Sequence, residues 1–294
     1  MSRRGWLLFA SLSVIWGLPY YLIKVAVNAQ VAPSFVVAGR LAVATVILLP
    51  IALLGPGIRV LAGYWRPIAV LAVIEMVVPF GLLTWAETRV TSSLAGLMIA
   101  TVPAISAVCA AALGLSDRLD GRRIIGLMIG LSGVALLVGF DVGGDSVWAV
   151  AALIVVAIGY AVGPIILNTR LAKPPGPQVM AAATAIAAAL YSPWLVLSWP
   201  ATEVAPAGWL AVLALGALCT AAAFLIMYAL VAEAGPTRMT VITYLNPVVA
   251  VALGVTLLAE PVTTGMVLGF PLILAGSVLA TSRRAPSGQP HELE

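Results

Sequence analysis

Apolar residues follow one another in long runs along the whole chain, and short polar links separate these runs. Each run holds roughly 18 to 24 residues, which is enough for one helix to cross a hydrocarbon core of about 30 Å. The links leave no room for a soluble domain, so the pattern predicts an all-α integral membrane protein with ten transmembrane helices. The predicted spans are 5–27, 34–54, 67–86, 91–114, 122–140, 147–167, 178–198, 207–230, 236–258 and 264–281.

The composition agrees with a chain that lies in a bilayer. Hydrophobic residues make up 62% and charged residues 9% of the 294 residues, and the mean hydropathy is +1.12. These values lie well outside the range of soluble domains. One histidine, His291, and two cysteines within predicted spans, Cys109 and Cys219, give no basis for a metal site or a disulfide framework. No cofactor is predicted.

The basic residues predict how the chain is oriented. Of the 15 Lys and Arg residues, all but three lie on links or ends on one side of the predicted spans. The exceptions are Arg89 on the opposite side and Lys24 and Arg40 within spans. Because positive residues favour the cytoplasmic side, both termini are predicted to be cytoplasmic, with residues 285–294 as a disordered tail. The basic residues do not alternate with aromatic ones on a soluble face, so nucleic acid is not a predicted partner.

The sequence repeats itself after a shift of 144 residues. The shift aligns Trp16 with Tyr160, and “GLMIATVPAISAV” around Pro103 with “TVITYLNPVVAVA”. We therefore divide the chain into a first five-helix repeat, residues 1–144, and a second, residues 145–284. Because each repeat has an odd number of spans, the second enters the membrane inverted relative to the first. Inverted repeats are the architecture of many secondary transporters.

Two pairs of helix-weakening residues fall at equivalent depths in the first and sixth spans, Gly17 with Pro19 and Gly163 with Pro164. Proline removes a backbone donor and clashes with the preceding turn, which frees carbonyl groups that must face protein or water. The pairs predict helix breaks beside a binding site at the middle of the membrane. The alternative is a kink that only improves packing, because Gly and Pro are common in membrane helices.

Four segments resemble a known family: “IWGLPYYLIKVAV”, “VVAGRLAVA”, “VTSSLAGLMIATVPAISAV” and “EPVTTGMVLGFPLILAGSVLA”. They are similar, in order along nearly the whole chain, to the ten-helix EamA-type members of the drug/metabolite transporter superfamily. The resemblance implies an inner-membrane carrier that holds its substrate in a central cavity between the repeats. The chain departs from the family at one position. The glutamate that follows the fourth or ninth span is Glu260 in the second repeat but Asp117 in the first.

Two ionisable residues lie deep in predicted spans, where such side chains are costly and usually face the interior of the bundle. By helical rise, Arg40 lies about 9 Å and Glu75 about 16 Å from the outer ends of their spans. One interpretation is a structural ion pair between them. We favour the other, in which Glu75 binds an amino or cationic group of a substrate or exchanges a proton with it. Lys24, about 5 Å from the end of its span, is expected to reach the headgroups.

Aromatic and amide side chains at similar depths are candidates for contact with a substrate. Tyr and Trp rings stack on planar groups and hold cations, although any one ring is also compatible with ordinary packing. An asparagine that precedes a proline either donates to a substrate or satisfies the carbonyl groups that the proline frees. The predicted substrate-binding residues are Trp16, Tyr20, Glu75, Tyr160, Tyr228, Tyr244 and Asn246.

These patterns predict a secondary transporter that moves small metabolites across the inner membrane by alternating access, and not an enzyme. The predicted substrates are amino acids or related amphipathic or cationic compounds, including drugs. Export is the predicted direction, proton coupling is a hypothesis, and the oligomeric state is left open. Besides the small-molecule substrate, the only predicted partner is the lipid bilayer.

Two alternatives come from other classes. A membrane enzyme is one, because “DRLDGRRIIG” from Asp117 begins like the motif with which CDP-alcohol phosphotransferases hold metal. However, Ile124 and Ile125 occupy its Ala-Arg positions, and no later acidic pair follows at the spacing of a metal site. A channel is the other, although the sequence offers no symmetric ring of pore-lining charges or carbonyl groups.

Overall fold

The computed structural model describes residues 2–54, 57–115, 120–141, 146–234 and 236–281. Within these residues the chain is helical throughout, with short turns and no β-strand. The predicted tail and the link that holds Asp117 lie outside the described residues. Buried apolar side chains fill the interfaces between helices, and those of Ile23, Leu41 and Leu153 have no exposed surface.

Each predicted apolar run contains one main helical segment, and these segments are numbered α1 to α10 in chain order. They are α1 (Arg3–Asn28), α2 (Pro33–Leu54), α3 (Arg59–Ala86), α4 (Ser92–Ala112), α5 (Gly121–Asp141), α6 (Ser146–Arg170), α7 (Gly176–Tyr191), α8 (Pro206–Glu233), α9 (Pro236–Leu257) and α10 (Thr264–Thr281). A single helical turn, Trp194–Leu197, follows α7.

Eight helices of the described chain are long and apolar enough to cross a membrane, which confirms the all-helical membrane class. The other two apolar helices are shorter, Gly176–Tyr191 in α7 and Ile242–Leu257 in α9. The predicted span 178–198 is divided because α7 ends at Tyr191, shortly before Pro193. Proline has no backbone N–H to continue the helical ladder.

The last helices of the two repeats, α5 and α10, pack directly backbone against backbone. A β-carbon added to Gly126 would lie 2.5 Å from the amide nitrogen of Ala280, and one added to Gly133 would lie 2.7 Å from the carbonyl oxygen of Gly269. Glycine permits such an approach because it has no side chain. Along α5 the contacts move backward along α10, so the two helices run antiparallel.

Two further pairs of equivalent helices show the same arrangement. Between α4 and α9, Gly96 faces Ala250 while Gly254 faces Ser92, so these helices are also antiparallel. Between α2 and α7, the carbonyl oxygen of Ala52 near the end of α2 accepts a hydrogen bond from Gln178 near the start of α7. The other contacts show the same correspondence between repeats: α3 packs on α6, and their equivalents α8 and α1 also pack on each other. These contacts are those of two repeats related by an approximate two-fold axis perpendicular to the helices.

A π-helical segment interrupts α3 and α8 at equivalent positions, Ala72–Val77 and Ala217–Ala222. Such a segment inserts one extra residue into a turn and is frequent at functional sites. Side chains from the equivalent helices α2 and α7 bind the two segments. Tyr191 of α7 donates to the carbonyl oxygen of Val77 at 3.1 Å, and Arg40 of α2 binds the segment in α8.

The predicted helix breaks in α1 and α6 are wrong. α1 continues through Pro19 and α6 through Pro164. One missing N–H removes a single helical hydrogen bond, which the surrounding helices tolerate. Gly17 and Gly163 serve as points of close approach instead. Gly17 faces Val249 of α9, and Gly163 faces α3.

Candidate functional site

Glu75 lies in the π-helical segment of α3, at the interface with α6. Its carboxylate faces Gly163, where any added β-carbon would collide with Oε2. This oxygen is buried and has no hydrogen-bond partner within the described chain, although the side chain as a whole is partly exposed. A bare carboxylate oxygen at such a place is costly unless a proton or a ligand compensates it. Glu75 is thus free to bind either.

Arg40 is buried on α2 and takes its partners from α8 and α3. Its Nε donates to Oγ1 of Thr220 at 2.8 Å, and that hydroxyl donates to the carbonyl oxygen of Leu215 at 2.8 Å. The guanidinium carbon lies 3.7 Å from the centroid of the Phe80 ring, a cation–π contact. Among the described residues no ion pair joins Arg40 to Glu75. The structural ion pair weighed for these two residues is therefore wrong, because Thr220 and Phe80 hold the guanidinium instead.

Most of the predicted substrate-binding residues surround these two charges. Tyr20 and Tyr160 lie within electrostatic range of Arg40, and Tyr160 also lies within range of Glu75. Tyr228 is near Glu75 too. Trp16, Tyr160 and Tyr228 pack against the same buried apolar cluster. Tyr20 is 4% exposed, whereas Trp16, Glu75, Tyr160 and Tyr228 each keep part of their surface exposed.

Two other predicted residues, Tyr244 and Asn246, have hydrogen-bond partners outside this group. The hydroxyl of Tyr244 is 3.1 Å from Oγ1 of Thr281 at the end of α10. With its amide nitrogen turned toward α1, Asn246 donates to the carbonyl oxygens of Ser13 and Ile242 at 3.1 and 3.0 Å. These bonds tie α9 to α1, so the geometry of Asn246 favours the structural alternative. The central group is therefore Trp16, Tyr20, Arg40, Glu75, Tyr160 and Tyr228.

Lys24 binds the connection between α3 and α4 and not the headgroups. Its Nζ donates to the carbonyl oxygens of Glu87 and Val90 at 2.7 and 2.9 Å. An ammonium group at this place complements the negative end of α3. The predicted extension of Lys24 toward the bilayer surface is therefore wrong.

Glu260 fastens the α9–α10 connection to the first repeat. Its carboxylate oxygens accept hydrogen bonds from the backbone N–H groups of Ser92 at 2.7 Å and Ser93 at 3.0 Å, and from the Ser93 hydroxyl at 2.6 Å. A carboxylate is favoured here because the first N–H groups of α4 have no helical partner. The equivalent contact of Asp117 lies outside the described residues.

Glu87, which the sequence did not single out, is fully buried just beyond α3, and neither carboxyl oxygen has a hydrogen-bond partner among the described residues. Burial raises the pKa of the Glu87 carboxyl well above its ordinary value; Lys24 and Arg40 oppose this shift and Glu260 adds to it.

No group of three or more His, Cys, Asp or Glu side chains in the described part of the chain is placed to hold a metal ion.

Replacing Glu87 with glutamine should raise the melting temperature at about pH 8 and leave it nearly unchanged at about pH 5. The folded protein holds the Glu87 proton more tightly than the unfolded chain does. This stabilisation is complete below the ordinary carboxyl pKa of about 4.3 and is lost as pH rises through the raised folded value. Thermal unfolding of purified protein in detergent at both pH values measures it. The exposed Glu203→Gln variant is the control, and parallel behaviour of the two variants would contradict the prediction.

An all-helical bundle of apolar spans, built from two antiparallel repeats around a central group of aromatic and charged residues, is the fold of a membrane transporter. The chain belongs to the EamA-like transporter family, whose family model matches residues 3–139 and again residues 147–282. This confirms the resemblance to the drug/metabolite transporter superfamily.

Two relatives and one solved structure extend this result. The chain is 32% identical to the uncharacterized inner membrane transporter YedA of Escherichia coli (strain K12) over 289 residues, 93% of this chain and 89% of YedA. It is 23% identical to an uncharacterized transporter of Archaeoglobus fulgidus, covering 96% of this chain and 100% of that protein. A crystal structure of another protein matches the fold with a TM-score of 0.66 and 23% identity, over 94% of this chain and 96% of the other.

Proposed function

We propose that the protein is a secondary transporter of the inner membrane that works by alternating access, with ten membrane crossings and both termini in the cytoplasm. The supporting observation is the antiparallel pairing of α2 with α7, α4 with α9 and α5 with α10. In such an arrangement, a site between the repeats can be opened to one side of the membrane by one repeat and to the opposite side by the other. The basic residues and the inner membrane relative support the orientation and the location.

The substrate bound at the central group is a small amphipathic compound with an amino or cationic group, such as an amino acid or a cationic drug. Glu75 supplies the negative charge, and Trp16, Tyr160 and Tyr228 supply flat apolar faces with polar edges. Arg40, which forms no ion pair within the described chain, would meet a substrate carboxylate near Tyr160. This combination favours a zwitterion such as an amino acid over a simple cation.

Export driven by proton exchange at Glu75 is the direction and coupling that we propose. An unpartnered carboxyl group can hold either a proton or the substrate amine, but not both, which is the requirement for exchange. Asp120, the second aspartate of “DRLDGRRIIG”, accepts a hydrogen bond from the backbone N–H of Arg123 at 2.9 Å and so caps α5, a structural role that does not require the enzyme alternative.

The experiment that tests this function begins with a thermal-shift screen of the purified protein against amino acids and amphipathic cations. A ligand that binds the folded state raises its apparent stability. The compound with the largest shift is then used in counterflow with proteoliposomes. A carrier gives saturable, transient accumulation of labelled compound. A channel gives flux without accumulation against the gradient, and an enzyme gives neither, so either result would refute the proposal.

A further inference from the structure

Two grooves on the surface of the bundle occupy equivalent positions in the two repeats. One, of about 590 Å³, lies between α3 and α6 and includes Trp85, Arg89 and Trp148. The other, of about 460 Å³, lies between α8 and α1 and includes Arg4 and Glu233. The shift of 144 residues aligns Arg89 with Glu233 and Trp148 with Arg4. Because the repeats are inverted, the two grooves open at opposite ends of the bundle.

Within the described residues, the equivalent grooves differ in their ion pairs. In the α8–α1 groove, Arg4 Nε lies 3.8 Å from Glu233 Oε2, and the Ser2 hydroxyl donates to the same carboxylate, so the positive charge is compensated. In the α3–α6 groove, Arg89 has no carboxylate within ion-pair distance among the described residues. The hydrogen bonds of its guanidinium to described residues are to its own turn, at Thr88 Oγ1 (2.7 Å) and at the Trp85 carbonyl (3.4 Å).

Apart from Arg89, the side chains that line the α3–α6 groove are largely apolar. Leu82 on α3 and Val155 on α6 extend its wall away from the helix ends. Val155 is seven residues, about 10 Å by helical rise, from Trp148, and Leu82 is four residues, about 6 Å, from the end of α3 at Ala86. The guanidinium carbon of Arg89 lies 4.0 Å from the centroid of the Trp85 ring, and Trp148 is 72% exposed. Tryptophan rings at the ends of apolar helices mark the headgroup level of a bilayer.

We propose that the α3–α6 groove binds an anionic phospholipid, with the phosphate on Arg89 and an acyl chain along Leu82 and Val155. A cation at the headgroup level above an apolar wall matches a lipid, whereas a free phosphate would leave the wall exposed. Arg89 is also an exception to the charge asymmetry that predicts the orientation, because it is the one basic residue on a link predicted to lie on the side opposite to the termini. This site goes beyond the proposed transport function and does not depend on it. With the proposed topology, the groove would lie in the outer leaflet of the membrane.

Lipid titration of the purified full chain by native mass spectrometry tests the site. We expect the wild type to bind phosphatidylglycerol in preference to phosphatidylcholine, and Arg89→Gln to bind it about tenfold or more weakly, the usual loss for one charge-assisted hydrogen bond. Arg4→Gln in the equivalent groove is the matched control and should bind as the wild type does.

Val155→Trp provides a second variant that keeps the charge but fills the apolar wall. It should weaken phosphatidylglycerol binding as well, while glycerol 3-phosphate should bind to none of the proteins. The proposal is overturned if Arg89→Gln binds phosphatidylglycerol as tightly as the wild type. It is equally overturned if Arg4→Gln loses as much affinity as Arg89→Gln, or if glycerol 3-phosphate alone binds at Arg89.

Discussion

Replacing Gly276 with alanine is expected to separate α5 from α10 and to destabilise the folded protein severely. A β-carbon at this position would collide with the backbone nitrogen of Gly130 and lie 2.6 Å from the carbonyl oxygen of Gly126. Overpacking of this kind typically costs about 1 to 3 kcal/mol, and the cost rises when the obstacle is backbone that cannot rotate away. A melting temperature several degrees lower and a smaller monodisperse fraction in detergent would show it.

Gly139→Ala is the matched control for this prediction. Gly139 lies on α5 like Gly130, but a β-carbon there would meet nothing within 4 Å. Because alanine is the better helix former by about 1 kcal/mol, we expect this variant to be as stable as the wild type or slightly more stable. If Gly276→Ala and Gly139→Ala melt at the same temperature, the close backbone contact of α5 and α10 is not a source of stability.

Replacing Glu75 with glutamine is expected to abolish counterflow in proteoliposomes while leaving the melting temperature nearly unchanged. Glutamine keeps the shape that fits against Gly163 but can neither carry the negative charge nor exchange a proton. A loss of at least about a hundredfold is expected if binding of the amino group and proton exchange both depend on this carboxylate. The compound identified by the thermal-shift screen serves as the labelled substrate.

Gly163→Ala gives an independent perturbation of the same carboxylate. The added methyl group would occupy the place of Glu75 Oε2, so the side chain must move while its charge remains. Counterflow should fall, and the variant should still reach the membrane. The exposed Glu203→Gln variant, which lies far from the central group in sequence, should transport normally. Full counterflow by Glu75→Gln would remove this residue from the mechanism.

Much of the fold can be predicted from the sequence, because the length of the hydrophobic runs and the internal repeat are visible in the sequence itself. The predicted runs mark the helices. A shift of 143 residues, one fewer than in the rest of the chain, aligns Gly126 with Gly269 and Gly133 with Gly276, and these glycines lie together where α5 packs on α10. The position of Glu75 at a helix interface also followed from the cost of exposing a carboxylate to lipid.

The π-helical segments could not be predicted in the same way. The two sequences, “AVIEMV” and “ALCTAA”, share no Gly or Pro that would weaken a helix. Both segments instead accept hydrogen bonds from side chains of other helices, Tyr191 at Val77 and Arg40 at Thr220, and such long-range contacts leave no local sequence pattern. Proline in α1 and α6 gave the opposite error, because a local signal of a break is overridden when neighbouring helices enclose it. The partners of Lys24 and Glu260 likewise lie more than sixty residues away along the chain.

The fold is nearly two-fold symmetric, yet Glu75 has Cys219 as its counterpart and Arg40 has Thr184. In the alternating-access cycle that we propose, a perfectly symmetric frame would populate the inward-open and outward-open states equally in the absence of substrate. Charges confined to one half would remove that equality, because each state would hydrate Glu75 and Arg40 to a different extent. We therefore expect the substrate-free protein to open preferentially toward one side of the bilayer. Glu75 and Arg40, both in the first repeat, would determine which side is preferred.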